Sequence, residues 1–297
     1  MIFGLIFTVL VLLNYLCELI QIMIMDELKK LEDELKLKMS SPRTIGAYLY
    51  WNRQFLDFVK KQPEEVAEDD VKSFLASKIG DISPKSVALI LSALRYFYKE
   101  VLKRDVVNIK TPKIPKTLPV VLTREETKRL IEAVENEKHR LIVELLYSSG
   151  LRVSEVMNLK VGDLELGERS GWVRSGKGEK DRLFFIADSL VEKLKDYIRK
   201  NGKTHGDYLF AGRNGKMSSR NVQKIVKLAA KNAGIGKNVH PHTLRHSFAT
   251  HMLESGINIR QIQRLLGHEN IGTTEIYTSI SPEDLRKIKN PLDALFG

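Results

Sequence analysis

The chain has 297 residues, 43% of them hydrophobic, and a formal net charge of +11 at pH 7. That balance excludes wholesale disorder, leaves room for about two domains of ordinary size, and points to a polyanionic partner. Cys17 is the only cysteine, which excludes an internal disulfide or a cysteine zinc site and fits a reducing, cytoplasmic setting.

Residues 1–24 contain no lysine or arginine and a single charge, Glu18. As a helix they would span about 36 Å, enough to cross a hydrocarbon core of roughly 30 Å. Met25 follows, and with it the charged amphipathic run Asp26-Glu-Leu-Lys-Lys. The segment is therefore read as a start codon assigned too early, with a membrane anchor as the alternative. A hydrophobic helix folded on the body is disfavoured because no face is polar. No membrane partner is expected.

Residues 25–103 read as a helical unit. Leu28, Leu31, Leu35 and Leu37 recur at near-helical spacing, Ser41-Pro42 opens a long helix to Lys61, and helices over 66–78 and 83–103 complete a group of about four. Tyr96 and Tyr98 are read as core rather than as DNA contacts. Residues 104–122 hold Pro112, Pro115 and Pro119 among Lys110, Lys113 and Lys116, which predicts a stiff basic linker. Lysine and arginine outnumber acids in both halves of the chain, 18 to 14 over residues 26–116 and 30 to 22 over 117–297, so a DNA or RNA surface can extend over both.

Thr123-Arg-Glu-Glu126 is a capping box and opens a second unit, 123–297. Helices are expected to about Asn136, from Lys138 to Ser148 and from Leu151 to about Leu159. Short strands follow at Leu164–Leu166, Gly171–Arg174 and Arg182–Ile186, the last two joined by a glycine-rich turn over 175–180. Further helices are expected near 188–200, 218–232, 242–255, 258–266 and 272–279. A last amphipathic helix covers about 282–296, with Leu285, Ile288, Leu292, Leu295 and Phe296 apolar.

The chemistry gathers late in the chain. From His240 to Tyr277 it reads His-Pro-His242-Thr-Leu-Arg245-His, then Leu-Leu-Gly-His268, then Thr-Glu-Ile-Tyr277. An arginine, several histidines and a tyrosine hydroxyl are the residue types that attack a phosphodiester without a metal, because fixed cations neutralise the oxygens of the target. Upstream, Arg152 begins a helix, and Glu155 three residues on shares its face and is placed to orient it. Lys177 sits between glycines in the 175–180 turn, where a mobile hairpin can deliver an ammonium to a phosphate. Lys180 and Arg182 compete for that role. His242 and His246 have the i, i+4 spacing of a zinc helix, but no glutamate follows His242 and Arg245 stands between them, so no metal is expected. His246 and His251 are read as structural.

From about residue 40 to its end the chain resembles a tyrosine recombinase of the phage-integrase family, closest to the Xer-type chromosomal recombinases of archaeal kind. The motifs that carry this are Ser-Gly-Leu-Arg152-Val-Ser-Glu155, Gly-Lys177-Gly, His-Pro-His242-Thr-Leu-Arg245-His, Leu-Leu-Gly-His268 and Thr-Thr-Glu-Ile-Tyr277-Thr, in that order. Ser279 stands where many members have histidine, and residues 1–24 have no counterpart. The resemblance implies a mainly α, two-domain DNA clamp: a helical SAM-like core-binding domain, then a mainly helical catalytic domain with a small antiparallel sheet. It implies that Tyr277 is the nucleophile and that Arg152, Arg245 and His268 hold the phosphate. His242 would assist proton transfer, Lys177 would protonate the leaving 5′ oxygen, and Glu155 would support the site. It implies no cofactor, a specific double-stranded DNA site, and four protomers in a synapse that exchange the C-terminal helix. The expected task is resolution of chromosome dimers at a dif-like site. The alternatives are a mobile-element integrase with the same chemistry and a DNA-binding protein that never cuts.

Overall fold

Hydroxyl side chains and prolines set the helix starts. The computed structural model describes residues 24–113, 118–174, 181–212, 215–267 and 290–296. Two units, Met1–Thr117 and Leu118–Gly297, hold separate hydrophobic cores.

In the first unit, helix α1 covers residues 24–37 and buries Ile24, Leu28, Leu31 and Leu35 at alternating three- and four-residue steps. Leu37, expected with them at near-helical spacing, is 79% exposed, because two residues past Leu35 the helix points it to the opposite side. Helices α2 (Pro42–Val59) and α4 (Pro84–Tyr96) each begin with proline behind a serine. Ser41 Oγ accepts from the Thr44 N–H at 3.1 Å, and Ser83 Oγ from Ser86 at 3.2 Å. Between them lies α3 (Glu68–Ala76). Buried Asn52 on α2 donates to the carbonyls of Tyr48 and, across the interface, Ala93 on α4. Helix α4 runs into a π turn, Phe97–Val101, whose wider coil turns the consecutive rings of Phe97 and Tyr98 both into the core. Tyr98 is thus core, as expected, while Tyr96 is half-buried and packs edge-on against Tyr48 at 5.8 Å.

The basic segment after α4 is tied down where it leaves the first unit. Arg95 donates to the carbonyls of Val107 and Ile109, Arg104 to those of Pro63 and Val66, and Val107 is buried. At its other end Leu122 is buried in the second core, its N–H held by Ser247 Oγ at 2.9 Å.

The capping box opens the second unit as the sequence predicts. Thr123 Oγ1 accepts from the Glu126 N–H at 3.1 Å, while Glu126 Oε2 accepts from the Thr123 N–H at 2.8 Å, starting α5 (Arg124–Glu132). Helix α6 (Glu137–Ser149) is buried from Leu141 to Ser149 and forms the spine of the unit. It stops at Gly150, which has φ +61°, and α7 (Val153–Asn158) follows after two residues. Strands β1 (Leu164–Glu165), β2 (Ser170–Val173) and β3 (Arg182–Phe185) form an antiparallel meander, with Ser170 opposite Phe185 and Val173 opposite Arg182. Then come α8 (Asp188–Lys200), an unpredicted two-residue hairpin of β4 (Ala211–Gly212) and β5 (Gly215–Lys216), α9 (Ser219–Asn232), α10 (Pro241–Glu254) and α11 (Ile259–Leu266). The fold class is the expected one, mainly α with small antiparallel sheets.

The final helix expected over 282–296 is described only over its last residues, where α12 spans Asp293–Phe296. Leu292 and Leu295 are buried in the unit's own core. The Asp293 carboxylate accepts from the N–H groups of Asp188 and Ser189 at 3.0 and 2.9 Å, capping α8, and Asn290 donates to the Ser148 carbonyl at 3.1 Å. Residues 1–23 of the predicted hydrophobic segment 1–24, Lys177 and Lys180 of the hairpin, His268, Tyr277 and the helix near 272–279 lie outside the described residues.

Candidate active site

Gly150 and the C-terminal turn of α11 form the frame on which the site is built. At Gly150 a Cβ would lie 2.6 Å from the Phe248 ring and 2.7 Å from Leu266, so only glycine lets α6, α10 and α11 meet there. Arg245 projects from α10 into this junction and is 6% exposed. Its Nη1 donates to the Gly150 carbonyl at 2.5 Å and its Nη2 to the Leu266 carbonyl at 2.6 Å. Burial, with Arg152 nearby, pushes its pKa down to about 10, so it stays a cation at neutral pH.

Arg152 precedes α7 and bonds back through Glu155, as their spacing predicts. Glu155 Oε1 accepts from Arg152 Nη1 at 2.7 Å, and Oε2 from the Arg152 backbone N–H at 2.6 Å. The Arg152 Nη2 reaches the Gly267 carbonyl at 3.5 Å. Arg152 and Arg245 therefore converge on successive carbonyls of one helix end.

Arg182 differs from its sequence expectation. It was a competitor for the mobile-cation role of Lys177, yet here it is fixed by its own contacts. Its Nη2 donates to Glu155 Oε2 at 2.7 Å and its Nη1 to the Leu265 carbonyl at 2.6 Å, and its side chain lies where a Cβ on Gly267 would come within 2.7 Å. Burial draws its pKa down while Glu155 opposes that. Strand alternation was the missed signal: Arg182 shares a face of β3 with Phe184, which is fully buried.

His242 lies one turn before Arg245 on α10. The helix is capped by His240, whose Nδ1 accepts from the Thr243 N–H at 3.2 Å, and Pro241 takes the first helical position. Partial desolvation lowers the pKa of His242, and the charges of His240, Arg245 and Arg152 push the same way. It is thus a neutral imidazole at neutral pH, able to accept a proton. On the opposite side of α10, buried His251 is structural, as expected. Its Nδ1 is 2.8 Å from the Tyr147 hydroxyl and its Nε2 is 3.0 Å from the Leu122 carbonyl.

Arg152, Arg182, Arg245 and Glu155 together hold three positive charges against one negative. Glu155 spends both oxygens on Arg152 and Arg182, and both described bonds of Arg245 go to neutral carbonyls. A desolvated positive excess of this kind is stabilised by an anion, and paired guanidinium groups match the oxygens of a phosphate. No cluster of metal-ligating side chains occurs among the described residues.

The chain is similar to known proteins over most of its length. Residues 120–284 match the phage integrase family, and residues 28–108 match the phage integrase N-terminal SAM-like domain. The chain is 41% identical over 268 residues to the tyrosine recombinase XerA of Thermococcus kodakarensis, covering 88% of this chain and 93% of that protein. XerA of Pyrococcus horikoshii is 39% identical over 267 residues, covering 88% and 92%. In fold the chain is similar to a lambda integrase dimer bound to a COC′ core site, with TM-score 0.69, 20% identity, and 86% of this chain and 98% of that one covered. It is similar also to XerH site-specific recombinase bound to difH substrate, with TM-score 0.65, 22% identity, and coverage of 84% and 79%.

Proposed function

The chain belongs to the phage integrase family of tyrosine recombinases, and from that premise we propose that it cuts and rejoins duplex DNA at one specific site, resolving chromosome dimers at a dif-like sequence. The observation that carries the reading is the pairing of Arg152 with buried Arg245, two cations from distant parts of the chain fixed on adjacent carbonyls with charge to spare. They would grip the two non-bridging oxygens of a scissile phosphate, joined by His268.

In this mechanism the Tyr277 oxygen attacks phosphorus and the bond from phosphorus to the 5′ oxygen breaks. The products are a 3′-phosphotyrosine and a free 5′ hydroxyl. A tyrosine with a solution pKa of about 10 enters protonated, and neutral His242 is suited to take that proton, while Lys177 gives one to the leaving oxygen. One phosphodiester is exchanged for another of similar energy, so the 5′ hydroxyl of a second strand reverses the reaction and no ATP is needed. Each guanidinium aimed at the transition-state oxygens would contribute about 3 kcal/mol. Glu155 keeps Arg152 in place throughout. The acting form is a tetramer bringing two DNA sites together. Because residues 290–296 dock on their own unit in the single chain, passing the segment around 282–296 to a neighbouring protomer would require those contacts to be released.

The test is to mix the protein with supercoiled DNA of its own genome in EDTA, stop with SDS and sequence the trapped covalent adducts, with Tyr277→Phe alongside. Adducts that require Tyr277 and collect at one chromosomal locus are expected. Adducts at the ends of a mobile element would make it that element's integrase. Tight binding with no adduct would favour a DNA-binding protein that does not cut.

A further inference from the structure

The last turn of α11 offers three successive carbonyls, those of Leu265, Leu266 and Gly267, and each accepts from a different arginine. Arg182 takes the first at 2.6 Å, Arg245 the second at 2.6 Å and Arg152 the third at 3.5 Å. A helix C-terminus carries partial negative charge, so three cations there are favourable and hold its direction. Arg182 adds a charged tie, to Glu155 Oε2 at 2.7 Å, which Arg245 lacks among the described residues. The same carboxylate clamps Arg152 through its guanidinium and its backbone N–H.

We propose that Arg182 is a positioning residue of the phosphate site, acting through Glu155 on the direction of the Arg152 guanidinium and through the Leu265 carbonyl on the end of α11. Two features separate this from general packing. Its guanidinium is engaged by a carboxylate, Glu155, and by the Leu265 carbonyl, whereas Arg245 meets only neutral carbonyls among the described residues. Its two ends bridge the elements that carry Arg152 and lead into His268, so its loss frees both at once. Gly267 completes the arrangement: with φ +65° it ends the helix, and its missing Cβ leaves room for the Arg182 side chain.

The inference rests on the recombinase reading above, and the experiment keeps the two apart. Single-turnover adduct formation would be measured with saturating protein on a duplex carrying the locus mapped above, for wild type, Arg182→Met, Arg182→Lys and Arg152→Ala. DNA affinity and thermal midpoint would be recorded for each. A second substrate carries a methylphosphonate at the scissile position, which removes the charge that Arg152 would neutralise.

Arg182→Met should form adduct on the order of 10–100-fold more slowly on the phosphodiester, the loss usual when a partner orienting a functional group is removed. DNA affinity should stay within about threefold, since bulk phosphate contacts elsewhere set it. The deficit should shrink on the methylphosphonate, as it should for Arg152→Ala. Arg182→Lys keeps the charge but lacks the fork needed for both partners, and should fall between wild type and Arg182→Met. Equal slowing on both substrates would overturn the inference in favour of a general fold defect. So would wild-type rates in Arg182→Lys and in a folded Arg182→Met. A wild-type protein that forms no Tyr277-dependent adduct would take down the recombinase reading itself, and the inference with it.

Discussion

Among the described residues Arg245 bonds only to neutral carbonyls, which leaves its charge for an anion to neutralise. Arg245→Lys retains the charge but cannot reach Gly150 and Leu266 as a fork, so it should keep DNA binding while adduct formation falls by roughly 100-fold or more, read in the single-turnover assay. His251 makes a prediction about stability instead. Burial, with Arg124 nearby, lowers its folded pKa below its ordinary 6.5, so between the two values the unfolded chain binds the extra proton. Its contribution is therefore fully present above about pH 6.5 and is lost as pH falls below it. Urea midpoints measured from pH 8 to pH 5 should decline for wild type. In His251→Gln they should start lower and decline less. A matching slope in the variant would rule His251 out as the source. His139, His242 and His246 shift in the same direction, which is why the comparison with the variant, and not the wild-type slope, carries the test.

Elements were legible where the cause is local. Ser41-Pro42 and the Thr123/Glu126 box each announce a helix start within four residues, and the observed helices begin there. Arg152 and Glu155 were legible as a pair because helical spacing alone brings them together. What stayed hidden depends on distance along the chain. The partners of Arg182 lie 27 and 83 residues away, so a cation in a hairpin read as mobile when it is fixed. The β4–β5 hairpin has two-residue strands, too short for any alternation to register. The π turn after α4 looks in sequence like plain helix, because periodicity cannot see one added residue. Gly150 shows how much rests on one such junction. Gly150→Ala would meet both a left-handed backbone and two side chains under 3.0 Å, and should cost on the order of 1–3 kcal/mol by urea titration. Gly256→Ala, with φ +84° and open space around the added methyl, is the control that isolates the backbone share. If the two cost the same, the close approach of Phe248 and Leu266 has no energetic weight.

At the scale of the whole molecule, two units with separate cores are joined by a segment anchored in each, through Val107 and Leu122. Fragments 24–113 and 118–297 should each give a cooperative melt. Each should bind duplex DNA far more weakly than the intact chain, because linkage makes the second contact intramolecular. With a net charge of +11, the affinity of the intact chain should fall steeply with salt, at about 0.9 in log–log slope per phosphate engaged, in a binding titration from 50 to 300 mM. The three arginines on the end of α11 have a consequence for how the chain reaches this state. Their bonds close loops of 83 residues from Arg182, 115 from Arg152 and 95 from Arg245 to Gly150. Contacts of that span form late, after the local helices have appeared. A chain still on the ribosome, or one with α11 peeled away, therefore lacks the anion grip altogether. If the grip is what holds the scissile phosphate, immature or heat-damaged copies would bind DNA without breaking it, and the power to cut would arrive only with the last step of assembly.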